Sequence, residues 1–158
     1  MPLQLRLVHQ LHRITLPLHI EGDGVSVSYS NNLTANDDRK KTSPVRYLWE
    51  KGKFSDLSLS LKLAVLSTGP ITSAASLKQT VEKIGGMAMP LPGENRVRST
   101  MVIIGNWFRI HGIMNSWTAT FGPPWDEGGE PLIADVSFAI SPTFGNRPPT
   151  AATFTFRW

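Results

Sequence analysis

Apolar and polar residues alternate one for one over much of this chain, and a period of two marks strands half-buried against a core. Leu3, Leu5 and Leu7 alternate with Gln4 and Arg6, and Ile14, Leu16, Leu18 and Ile20 alternate with Thr15, Pro17 and His19. Both runs read as strands. Pro17 has no amide hydrogen to give a neighbour and confines the second to a sheet edge. A turn at residues 21–24 leads into a further half-buried strand over 25–29, and the aromatic run 47–54 is again amphipathic. The cleanest alternation follows: Leu57, Leu59, Leu61, Leu63 and Val65 are expected together on the core side. The chain closes on Thr153-Phe154-Thr155-Phe156-Arg157-Trp158, which alternates to its last residue.

Residues 99–141 carry the most information. Trp107, Arg109, His111 and Ile113 alternate with Phe108, Ile110, Gly112 and Met114, and 117–121 is aromatic and β-prone. After a Gly/Pro-rich acidic turn, residues 133–140 alternate once more. Two extended runs around one turn predict a long β-hairpin, which cannot bury its apolar side alone and needs a sheet partner from this chain or another. One helix is expected over 72–84, capped by Ser73 or Ser76, the latter with Gln79 in a capping box. Leu77, Val81 and Ile84 make its apolar stripe, and Gly85-Gly86 is expected to end it. Residues 31–44 are polar and turn-rich and read as a mobile loop, and 87–98 read as a connector. The pattern predicts a single domain over 1–158, mainly antiparallel β, a barrel or sandwich with one flanking helix.

Composition narrows the function classes. The 158 residues suit one core. Charged residues make up 18%, against about 25% in an average domain, which fits a surface partly covered in an assembly or a small soluble β domain. The net charge of +4 is mild, and its only run, Arg39-Lys40-Lys41, follows Asp37-Asp38. The absence of cysteine removes disulfides, thiolate metal sites and cysteine nucleophiles. No segment approaches the roughly 18 apolar residues of a membrane span. The first twenty residues carry Arg6, His9, His12 and Arg13 in place of an apolar signal core, so use without secretion is expected.

Catalytic patterns are missing. His9 and His12 have the spacing of helical metal ligands, but their surroundings favour strand or turn. His111 lies in a strand with no serine or acid pair near it in sequence. Asp126, Glu127 and Glu130 group in a turn whose spacing matches no calcium loop. Neither phosphate-binding glycine motifs nor a hydrolase elbow occur. No enzyme activity and no cofactor are expected. The five tryptophans, interleaved with Arg109, Arg157 and Lys53, suit either a core and subunit interface or a stacking platform for single-stranded nucleic acid. A nucleic-acid-binding β-barrel module is therefore the alternative reading.

The segments 101–105, 107–113, 117–121 and 126–138 together resemble the tail-tube and baseplate tube-like proteins of contractile phages and related injection systems. In that family a strand reaches a glycine, and a second runs to a polar Gly-x-Pro turn. A small residue then precedes the return strand. Gly129, Pro131 and Ala134 occupy those positions here. The helix at 72–84 is similar to the one flanking the family's barrel, and the resemblance covers about 57–141. It implies a structural component of a phage tail, a baseplate or tube-initiator protein made in the host cytoplasm and located in the virion. Its expected partners are further copies in a ring, sixfold in that family, and adjacent tail-tube, baseplate or sheath-initiator proteins. DNA would pass through the lumen without sequence-specific contact. Ser58, Ser60, Thr118 and Thr120 suit the lumen face, or equally a plain solvent face. The candidates for assembly contacts are Trp107, Arg109, Trp117, Phe121, Val136, Phe138, Trp158, Arg39, Lys40 and Lys41.

Overall fold

The computed structural model describes residues 4–17, 28–36, 46–143 and 151. In chain order its elements are β1 (Gln4–Val8), β2 (Arg13–Pro17), β3 (Tyr29–Asn36), β4 (Arg46–Phe54), β5 (Leu57–Ala64), α1 (Ala74–Gly86), β6 (Thr100–Ile104), β7 (Phe108–Trp125) and β8 (Pro131–Pro142). Six strands form one antiparallel sheet in the order β2-β1-β6-β7-β8-β5, and β3 pairs with β4 in a separate two-stranded ribbon. The expected barrel is not closed, because the sheet stops at β2 and β5 with no ladder between them among the described residues. Pro17 does sit on an edge strand, as its missing amide requires. Residues 31–36, expected in a loop, belong to β3, and their ladder to β4 satisfies the backbone that polar side chains could not bury. The rest of that stretch, 37–44, and the terminal alternation at 153–158 lie outside the described residues.

One face of the large sheet is continuously apolar. Leu57, Leu59, Leu61 and Leu63 are buried while Ser58, Ser60 and Lys62 are exposed, which is the alternation the sequence predicts. Val65 lies just past the strand, partly buried against the same core. Leu5 and Leu7 stand opposite Leu16 and Ile14 on one side and Ile104 and Val102 on the other, so one apolar layer runs across three strands. Burying each such side chain contributes about 1.5–3 kcal/mol.

A bulge redirects β7. Met114 pairs with Ile140 and Ser116 with Ala139, leaving Asn115 as the extra residue. Before it Phe108, Ile110, Gly112 and Met114 face the core; after it Trp117 and Ala119 do, because one inserted residue exchanges the two faces. Asn115 is anchored by its side-chain amide, which donates to Asp56 Oδ2 at 2.8 Å and to Ser141 Oγ. Strict alternation through 113–121 would have sent Trp117 to solvent.

The helix packs on this redirected part of the sheet. Its N-terminus is closed by a box one residue set earlier than the Ser76–Gln79 pair: the Ser76 amide donates to Ser73 Oγ at 3.1 Å, and the Ser73 amide donates to Ser76 Oγ at 3.0 Å. Leu77, Val81 and Ile84 are buried as the stripe predicts. Gly85 and Gly86, however, lie inside the helix and do not terminate it. A Cβ on Gly85 would stand 2.9 Å from Trp117 Cζ2, and one on Gly86 would stand 3.3 Å from His12 Nε2. These glycines allow close approach, and the chain leaves the helix at the fully buried Met87.

Candidate assembly surface

The sheet presents backbone that nothing among the described residues covers. β5 pairs with β8 along one side only, and β2 pairs with β1 along one side only. A third open stretch lies inside the sheet. The five-residue β6 pairs with β7 only from Phe108 to Gly112, whereas β8 follows β7 out to Trp125. Past Gly112 the β6-facing edge of β7 has no strand beside it among the described residues. The mismatch in length between the two apolar runs is the sequence signal that could have revealed this edge.

The long hairpin holds its tip rigidly. Asp126 Oδ1 accepts from the amides of Gly128 and Glu130, both at 2.8 Å, and Gly129 takes a φ of 79°, where a residue without Cβ is needed. Glu130 pairs with Lys78 of the helix, tying tip to brace. Asp126 and Glu130 are thus structural, while Glu127 is exposed and makes no ion pair among the described residues. Around the tip Phe121 and Trp125 stay exposed, at 39% and 52%.

A groove of about 630 Å³ lies between the two sheet edges. Leu16 and Pro17 of β2 line it together with Leu61, Leu63, Ala64 and Val136 and with two polar rows formed by register, Ser60–Ser137–Thr118 and Lys62–Asp135–Thr120. None of the histidines lines it. The non-core face of the other half of the sheet is basic. Arg6 and Arg109 flank Ile103 in one row, and Arg13 and His111 end the next, with Val8 and Met101 between them. The three arginines are exposed, and none makes an ion pair among the described residues.

The sequence-derived contact candidates separate into two groups. Trp107 is half exposed in the β6–β7 turn, and Arg109 and Phe121 are exposed on β7. Trp117 is turned inward against Gly85 and the core. Val136 and Phe138 are 1% and 2% exposed, on a strand paired on both sides: Val136 stands between Leu61 and Ala119. They pack this chain's own core because β8 is interior to the sheet, so the structure places these two candidates away from the exposed surface. Trp158, Arg39, Lys40 and Lys41 lie outside the described residues.

His9 and His12 lie in the turn between β1 and β2. His9 donates its amide to the His12 carbonyl at 2.8 Å, and its Nδ1 accepts from the Leu11 amide at 3.3 Å. The rings stack with centroids 6.2 Å apart. Burial, reinforced by the neighbouring His12, pushes the His9 pKa below its ordinary value. Among the described residues no three His, Asp or Glu side chains gather as metal ligands, and no helix is long and apolar enough to cross a membrane. A scan against models of known protein families finds no match, and a search of curated proteins finds none either.

Proposed function

We propose that this chain is a structural subunit of a phage tail, a baseplate or tube-initiator component that closes into a ring around the DNA channel and joins the tube to neighbouring proteins. The β5 edge, with which no further strand pairs among the described residues, carries the reading. It is eight residues long with neither proline nor bulge, and Lys62 is its only charged residue. An edge of that kind recruits another strand, and ring closure is the arrangement that leaves none of the copies with a free edge. The separate β3–β4 ribbon points the same way, since a two-stranded ribbon alone in water is marginal and gains from a neighbour. The polar rows Ser60–Ser137–Thr118 and Lys62–Asp135–Thr120 suit a channel lining over which DNA slides without adhering. Negative-stain electron microscopy of the purified chain tests the reading. Closed rings with a central hole are expected, and dispersed single particles at every concentration would overturn it.

A further inference from the structure

We propose that the basic face around Arg6, Arg13 and Arg109 receives the acidic hairpin tip of a second copy of this chain, so that copies join head to tail. The inference rests on the assembly reading above and names one of its contacts. The two surfaces are complementary in charge. The face carries three exposed cations with no ion-pair partner among the described residues, set around the half-buried Val8, Met101 and His111. Strands stand about 4.8 Å apart, so Arg6 and Arg109, two strands from each other, form a cationic pair roughly 10 Å wide on either side of the buried Ile103. The tip offers the exposed Glu127, with no ion-pair partner among the described residues, beside Asp126 and next to the exposed Trp125. It is a carboxylate pair with an apolar anchor, the composition such a face would bind.

Both surfaces cannot meet within one copy. At about 3.3 Å per residue, the run of β7 from Arg109 to Trp125 extends up to roughly 50 Å. Each copy therefore carries a donor and an acceptor at opposite ends of one strand. A contact between two different patches propagates or closes in a ring unless a two-fold axis pairs both patches reciprocally, and the two arrangements differ in the species that cross-linking yields.

The cysteine-free chain allows a clean test. Thr15 is exposed beside Arg6, and Gly128 is exposed at the tip with a backbone that tolerates a side chain, so neither substitution alters the charges. Mild oxidation of the Thr15→Cys, Gly128→Cys double variant should give a ladder of dimers, trimers and higher species, whereas each single variant should stop at dimers. Arg109→Glu and Glu127→Arg should each weaken association at least about tenfold in sedimentation, and their combination should restore it. Assembly that is indifferent to both swaps and yields no ladder would overturn this contact while leaving the ring reading intact. Absence of any association would overturn both. If Arg109→Glu leaves assembly unchanged but abolishes salt-dependent retention of duplex DNA, the face is a phosphate surface and the proposal fails.

Discussion

At Gly85 a missing Cβ sets how closely the helix approaches β7. The added carbon of Gly85→Ala would lie 2.9 Å from the Trp117 ring, which is held between helix and core. Alanine favours the helix by about 1 kcal/mol, but overpacking costs about 1–3 kcal/mol, so a net loss of about 1 kcal/mol is expected in urea denaturation. Gly86→Ala meets only His12 in a surface turn, at 3.3 Å, and should be neutral or slightly stabilising. His9 gives a second residue-scale outcome. Its pKa is lowered in the fold, so the unfolded chain binds the proton more readily. Its contribution is complete above the unfolded value near 6.5 and is lost as pH falls from there through the folded value. Thermal melts should therefore show stability declining with acid over that window. In His9→Asn, whose side-chain oxygen can still accept from the Leu11 amide, that component of the slope should vanish.

Among the elements, β8 decides how a strand change is felt. Because Val136 lies between β7 and β5, proline there removes a ladder bond in the middle of the sheet. Val136→Pro should lose the native circular dichroism spectrum altogether, and should not yield a folded monomer that merely fails to assemble. Leu61→Ala, on the adjoining strand, should cost about 2–5 kcal/mol in denaturant titration. These elements also show what could be read in the sequence. The leucines of β5 face a single core without interruption, so alternation alone places them, and the stripe of α1 is read by the same logic. The β7 bulge hides from such reading because one extra residue leaves clean alternation on both sides and reverses only the face. Gly85-Gly86 looks like a helix end in sequence, since the ring that needs the space comes from thirty residues downstream. The exposed aromatics and Arg109 could be picked out as surface candidates from residue type. Val136 and Phe138 could not be excluded, because whether a strand is interior depends on the pairing order, and local pattern does not record it.

At the scale of the whole molecule, the six-stranded sheet gives one continuous core, and no strand pairs with its two outer edges among the described residues. The apolar face packs against α1, while β2 is blunted by Pro17 and β5 is not. That asymmetry makes association the central claim of the account. Sedimentation velocity of the purified full chain over a rising concentration series tests it most directly. Growth from monomer to a discrete closed species is expected, at concentrations where circular dichroism shows an unchanged fold. A single monomeric boundary at every concentration, with the fold intact, would contradict it.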